Sequence, residues 1–195
     1  MTRIRVWTTI SLLTLLATAA LGVVQASAQS WAQSEAQAMN VIEAFDAGAE
    51  ARWDYVQDGV MGGVSQGQAA LEDGAIRLTG TVSTDNNGGF IQVRQRLIDG
   101  WPADVEGLNL RVRGNGERYY VFLRTTSAQR PWHSYRASFT ANAEWQDITL
   151  PLSAFEASQG SLPARFSADE IRSIGLVAYG RDHNADLSVS RIALY

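Results

Sequence analysis

Leu108-Asn109-Leu110-Arg111-Val112-Arg113, closed by Gly114-Asn115-Gly116 and followed by Tyr119-Tyr120-Val121-Phe122-Leu123-Arg124-Thr125, decides the fold class of this sequence. Residues 108, 110 and 112 are apolar and alternate with polar ones, the period of a strand whose side chains point to opposite faces. Gly-Asn-Gly is a tight-turn sequence, and the chain returns through it as the next strand. That second strand is apolar on both faces, so its outer face must be covered by chain, partner or ligand.

The same signals recur on either side. Upstream, Val41 to Phe45, Trp53 to Val56, Ala75 to Leu78 and Phe90 to Arg94 read as strands, the last two entered through Glu72-Asp73-Gly74 and Gly88-Gly89. Downstream, Trp132 to Phe139, Trp145 to Leu150, Ile174 to Tyr179 and Leu187 to Leu194 bring the expected total to about ten. Two places invite a helical turn: Pro151 to Phe155, and Ser167 to Ile171, where Ser167 and Glu170 have capping-box spacing. Many short strands with hardly any helix predict an all-β sandwich with one or two short helical turns.

Composition narrows the chemistry. The 195 residues, 46% of them hydrophobic, can bury one sizeable core, and the formal net charge of −4 argues against a nucleic-acid partner. All 16 basic residues are arginine. Without lysine there is neither Schiff-base chemistry nor a Walker-type phosphate loop. The absence of cysteine removes thiol nucleophiles, disulfides and thiolate metal sites.

The first residues read as an address. Met1 to Thr9 carries two arginines and no acid, Ile10 to Val24 is apolar apart from small or hydroxyl residues, and Ala26-Ser27-Ala28 has the small-x-small pattern of a cleavage site. A secretory signal peptide is expected over 1–28, a linker over 29–38 and one domain over 39–195, with export to a periplasm. Left uncleaved, the apolar run would be an anchor, although it is short of the roughly 20 residues a spanning helix needs. A mitochondrial presequence would instead be amphipathic, with its arginines spaced along one face.

Asp58-Gly59-Val60-Met61-Gly62-Gly63-Val64-Ser65 crowds three glycines where an ordinary element has no use for them. It reads as a tight bend beside Trp53, with Met61 packed inward. Gly63-Val64-Ser65-Gln66-Gly67 has the form of a hydrolase nucleophile elbow, with Asp182 and His183 as later partners, but an alternating strand follows where the elbow requires a helix. Asp85-Asn86-Asn87, with Asp54 and Asp58, could offer oxygen ligands to calcium, yet Asx-rich loops are more commonly simple turns. His133 and His183 lack metal-ligand spacing. No catalytic residue, metal ligand or cofactor is expected.

The arginines form pairs two apart, Arg94 with Arg96 and Arg111 with Arg113, so each pair shares one face of its strand. The plain reading is a solvated sheet face. The functional one is a binding face of Arg94, Arg111, Arg113, Arg124 and Arg136 with Tyr120, Phe122 and Trp132, in which Arg136 shares a strand face with Trp132. Bidentate guanidinium groups and aromatic rings in that combination suit a partner's acidic groups or a sugar.

Trp53 with Asp58 to Ser65, Asn87-Gly88-Gly89-Phe90 leading to Arg94, Leu110 to Gly114 with Tyr119 to Arg124, Trp132 to Phe139, and Trp145 to Leu150 followed by Pro151 and Phe155 together resemble the complex I intermediate-associated protein 30 family. The resemblance runs from about Val41 to Tyr195. It implies a galactose-binding-like jelly-roll sandwich, and an assembly factor that resembles a chaperone, binding a respiratory complex I intermediate without being an enzyme. It also makes Trp53, Asp58, Gly59, Met61, Gly62, Gly63, Ser65, Gly88, Gly89 and Phe90 a family signature of structural character. Fold relatives include carbohydrate-binding modules, so the alternative is an extracytoplasmic module that holds a glycan with Trp132, Tyr120 and Arg124. Export would separate the chain from the matrix-side or membrane-embedded intermediate on which mitochondrial members work.

Overall fold

The computed structural model describes residues 41–195; the expected signal peptide, the linker and the first two residues of the expected domain lie outside the described residues. Twelve strands fill two antiparallel sheets. The first sheet runs in the order β3 (Gln66–Glu72), β4 (Ala75–Val82), β12 (His183–Leu194), β6 (Gly107–Gly114) and β9 (Gln146–Pro151), and β1 (Val41–Glu43) pairs with the end of β12. The second runs β10 (Glu156–Ala157), β8 (Tyr135–Thr140), β7 (Arg118–Thr125), β11 (Ile171–Tyr179), β5 (Phe90–Arg96) and β2 (Trp53–Gln57). This is the expected all-β sandwich.

The core lies between the sheets. Leu108, Leu110 and Val112 of β6 and Leu187, Val189 and Ile192 of β12 meet Tyr119, Val121 and Leu123 of β7 and Ile174, Leu176 and Ala178 of β11, all buried. Each large apolar side chain so buried stabilises the fold by roughly 1.5–3 kcal/mol. On β12 the apolar phase jumps from Leu187 and Val189 to Ile192 and Leu194, and on β11 from Ile171 to Ile174. Both jumps coincide with a register shift in the pairing, where an inserted residue resets which side chains face inward.

The strands on either side of Gly114-Asn115-Gly116 are not partners. β6 pairs with β12 and β9, whereas β7 pairs with β11 and β8, so the turn carries the chain from one sheet to the other. Both strands have an apolar face to bury, and facing each other across the core buries both. The crossing is pinned by Gly114 and Gly116 N–H groups donating to the carbonyls of Asn142 and Ala141, each at 2.7 Å, and by the Tyr119 hydroxyl donating to Asn115 Oδ1 at 2.6 Å.

Two strands lie beyond the ten expected: β3, the alternating segment after the glycine bend, and the two-residue β10. Both expected helical turns form as 3-10 turns, Leu152–Ala154 and Ala168–Glu170, the second with its capping box, in which the Glu170 carboxylate accepts the Ser167 N–H at 2.8 Å. Three more occur at Ala49–Ala51, Asp58–Met61 and Asp85–Asn87, built from polar or glycine-rich chain that carries no helical periodicity. Trp132 and Trp145 fall just outside their expected strands, which begin at Tyr135 and Gln146.

β1 is tied to β2 through one acid. Glu43, buried, accepts the Phe45 N–H at 2.8 Å, the Trp53 indole N–H at 3.0 Å and two Arg52 guanidinium N–H groups at 2.8 and 3.1 Å. Burial pushes its carboxyl upward, but the bonds from Arg52, Trp53 and Phe45 outweigh it and hold the group below the ordinary carboxylate range. Trp53 of the signature is thus a structural tether.

Candidate ligand-binding site

Strand alternation leaves the second sheet with one face in the core and one open. On the open face stand Val56 of β2, Phe90, Gln92 and Arg94 of β5, Phe122 and Arg124 of β7, Arg136 of β8 and Tyr179 of β11. They line a groove of about 510 Å³. Over β11 its lining is Ser173 and Gly175, which carry little or no side chain; a Cβ on Gly175 would come within 2.9 Å of the Gln92 amide oxygen.

The walls are loops. Pro131 and Trp132, the latter 49% exposed, rise on one side, and Val60 and Met61, 76% and 53% exposed, rise from the Asp58–Met61 turn. Met61 therefore does not pack inward as the bend alone suggested. Trp132 reaches the groove from a loop and not from the face of β8.

Arg136 is the most constrained side chain of the groove. Its guanidinium carbon lies 4.6 Å from the Phe122 ring centroid and 4.7 Å from that of Tyr179, and Nη1 donates to the Tyr179 hydroxyl at 2.9 Å while Nε donates to Ser134 Oγ at 3.0 Å. Cation–π contact with two rings and directed bonds at two edges hold it in one orientation. Tyr120 shares this face, edge-on to Phe122 at 6.1 Å and Tyr179 at 5.6 Å, and sits outside the groove lining. These rings and Arg136 are the cover that the doubly apolar β7 requires.

Of the eight expected face residues, Arg94, Phe122, Arg124, Trp132 and Arg136 converge here. Arg111 and Arg113 do not, because β6 belongs to the other sheet and its outer face points away. There Arg111 donates to Asp147 at 2.7 Å and Arg113 lies 4.9 Å from the Trp145 ring centroid. Tyr179, Val60 and Met61 are groove residues that sequence reasoning missed. Tyr179, at the end of a strand read as core, carried a signal only in its phase opposite to Ile174, Leu176 and Ala178.

The glycine-rich signature builds one groove wall through Asp58, which is fully buried. Its carboxylate accepts the Ser65 hydroxyl at 2.5 Å, the Ser65 N–H at 3.0 Å, the Gly89 N–H at 2.6 Å and the Phe90 N–H at 3.2 Å. Burial pushes this carboxyl upward; the Ser65 hydroxyl and the three backbone N–H groups more than offset it and hold the group below its ordinary range. Gly63 and Gly88 flank the carboxylate so closely that a Cβ on either would lie 2.4 or 2.5 Å from its atoms. The signature thus joins two loops around one buried charge.

Ser65 is committed to that clamp: buried at 2%, it also accepts the Ser83 N–H at 3.0 Å, so no imidazole holds it as a nucleophile. Asp182 accepts the Thr84 N–H and hydroxyl, and His183 Nδ1 meets the Arg181 carbonyl at 2.8 Å. The acid and imidazole that followed the elbow pattern serve loop geometry. Among the described residues no three His, Cys, Asp or Glu side chains gather as metal ligands, and no helix is long and apolar enough to cross a membrane.

The sequence profile of the complex I intermediate-associated protein 30 family matches residues 44–189. No curated protein matches the chain by sequence. Among solved structures, the family 11 carbohydrate-binding module from Clostridium thermocellum in complex with a β-1,3-1,4-mixed-linked tetrasaccharide is similar with a TM-score of 0.64 at 17% identity, over 80% of this chain and 94% of that one. The family 11 module of a cellulosomal cellulase of Clostridium thermocellum gives 0.62 at 16% identity, over 79% and 92%. An agarase gives 0.51 at 10% identity, with 79% of this chain matching 24% of the larger protein. At these identities the likeness is one of fold, a jelly-roll sandwich.

Proposed function

Because this chain belongs to the complex I intermediate-associated protein 30 family, we propose that it is a non-catalytic binding domain that takes its ligand into the groove on the open face of the second sheet, and that the ligand is an oligosaccharide. The groove's lining carries this reading. Rings at Phe122, Tyr179, Phe90 and Trp132 alternate with Arg94, Arg124 and Arg136, apolar planes for the faces of sugar rings beside donors for their hydroxyls. The groove lies on a sheet face and not on a strand edge, so the backbone pairing that commonly fixes an extended peptide is not on offer there. Similarity in fold to a module bound to a tetrasaccharide supports the same reading.

Titration of the protein with a panel of oligosaccharides, with Trp132→Ala in parallel, tests it. A binding glycan whose affinity drops about tenfold in Trp132→Ala is the expected result, in line with loss of a stacking aromatic. Absence of binding across the panel would refute the glycan.

A second reading, favoured by the family match, is that the groove holds a protein segment of a membrane-complex assembly intermediate. The exposed Val60 and Met61 suit such a partner. Recovery of defined respiratory-complex subunits from membranes by the protein, lost in Trp132→Ala, would support it. Export through residues 1–28 belongs to the first reading, and N-terminal sequencing beginning at Gln29 in the periplasmic fraction is its check.

A further inference from the structure

At one end of the groove β5, β11 and β7 bring four arginines together. Arg96 stands opposite Ser173, which stands opposite Arg124, and Arg94 is one step along, opposite Gly175. The register shift between Ile171 and Ser173 adds Arg172. Arg94, Arg96, Arg124 and Arg172 line a second pocket of about 340 Å³, which shares Arg94, Arg124 and Ser173 with the groove and has no acidic side chain in its lining.

Such a cluster is unexpected in a chain with 20 acids and 16 arginines. On the opposite sheet three of the four arginines are matched, Arg77 with Asp186 and Glu72, and Arg111 and Arg191 with Asp147, while Arg113 lies against the Trp145 ring. Among the described residues none of the four pocket arginines has an ion-pair partner, although Asp54 stands in register with Arg94 on β2. Two are fixed by neutral groups instead. Arg124 Nη2 donates to the carbonyls of Ala128 and Arg130 at 3.0 and 2.9 Å, and Arg172 Nη1 to those of Asp169 and Ile171 at 2.7 and 2.9 Å. These bonds orient the guanidinium groups and leave their charge uncompensated. Arg94 Nε is buried without a hydrogen-bond partner. Burial, and after it the charges of Arg94 and Arg96, push the Arg124 pKa down.

We propose that this pocket is an anion subsite, and that the oligosaccharide held in the groove is an acidic one whose carboxylate or sulfate group is received by Arg94, Arg96 and Arg124. This rests on the glycan reading of the groove. The shared lining lets one ligand stack along the rings and turn its charged substituent into the pocket. A planar carboxylate or a sulfate ester matches the paired N–H geometry of guanidinium groups, and an anion relieves the repulsion among them.

Calorimetric titration of the protein with three probes decides it: an oligogalacturonate, a sulfated galactan oligosaccharide and a neutral mixed-linked β-glucan oligosaccharide. At least one acidic probe is expected to bind about tenfold or more tightly than the neutral one, with the gap narrowing in high salt. Which acidic probe leads tells carboxylate from sulfate. Arg96→Gln, at an exposed side chain with no hydrogen-bond partner among the described residues, should lower the acidic-to-neutral affinity ratio about tenfold, and Arg94→Gln should do the same. Equal affinities for acidic and neutral probes, or a ratio unmoved by either substitution, would overturn the subsite while leaving the glycan groove standing. If no oligosaccharide binds but a poly-glutamate peptide does so in an Arg96-dependent way, the glycan occupant is wrong and the pocket serves an acidic protein segment. Failure of every probe to bind would overturn both.

Discussion

Asp58 Oδ2 accepts the backbone N–H of Gly89 at 2.6 Å although the two residues stand 31 positions apart. That bond, with the others the carboxylate accepts, joins the turn carrying Val60 and Met61 to the loop that enters β5. A family signature that looks like a backbone bend in the sequence is therefore a clamp whose outer side forms a groove wall.

Removing the clamp should be severe. Asp58→Ala leaves the N–H groups of Ser65, Gly89 and Phe90 without their acceptor, and at ~1–3 kcal/mol for each buried group left unpaired, tempered by loop relaxation, the loss should be roughly 3–5 kcal/mol. Asp58→Asn keeps one acceptor oxygen and should lose less. Urea denaturation measures both, and an unshifted midpoint in Asp58→Ala would contradict the clamp.

Adjacent glycines should respond differently. Gly62 has φ +91 with nothing within 4 Å of an added Cβ, so Gly62→Ala meets only backbone strain, about 1–2 kcal/mol. Gly63→Ala drives a methyl to within 2.4 Å of the Asp58 carboxyl carbon and must displace it, so its melting temperature should fall further. Equal melting temperatures for the two variants would show that the carboxylate yields freely.

Acid should weaken the fold through Asp58 and Glu43. Both carboxyls are held below their ordinary values in the folded state, so between the folded and unfolded pKa the unfolded chain binds more protons. The stability they contribute is complete above the unfolded value, near pH 4, and is lost as pH falls through the folded one. Urea midpoints taken from pH 7 down to pH 2 should drop in that window, and Asp58→Asn should flatten the slope. A slope identical to that of the unsubstituted protein would remove Asp58 from the effect.

Arg136 should not be replaceable by lysine. The guanidinium lies over the touching rings of Phe122 and Tyr179 and bonds at two edges, which a single ammonium cannot reproduce. Arg136→Lys should weaken ligand binding about fivefold to tenfold, and Tyr179→Phe, which deletes one of those bonds, should weaken it less. Full affinity in Arg136→Lys would show that charge alone suffices.

Much of the sandwich was legible along the chain. Alternation at Leu108 to Val112 or Phe90 to Arg94 is set by the two-residue repeat of a strand with one buried face, and the Ser167 to Glu170 spacing is a purely local cap. The groove was partly legible: Phe122, Arg124 and Arg136 were picked out by their phase on β7 and β8. Arg111 and Arg113 have the same local pattern as Arg94 and Arg96, and phase cannot tell which sheet a strand will join. β11 hid its role because both of its faces are largely covered, so only the phase of Tyr179, opposite to Ile174, Leu176 and Ala178, set it apart from core.

The sequence by itself determined the strand-rich class, the chemistry excluded by having neither lysine nor cysteine, and the family signature, because each is a property of composition or of short-range spacing. Tertiary structure alone decided that Gly114-Asn115-Gly116 crosses between sheets, that Met61 faces outward, and that four arginines without acidic partners share a pocket. Those outcomes depend on which strands lie side by side, and partner choice is settled by burying both apolar faces at once, a balance that no local stretch contains. The Asp58 clamp belongs to both. Its glycines are written in the chain, and the reason for them appears only when Gly63 and Gly88 close around the same carboxylate.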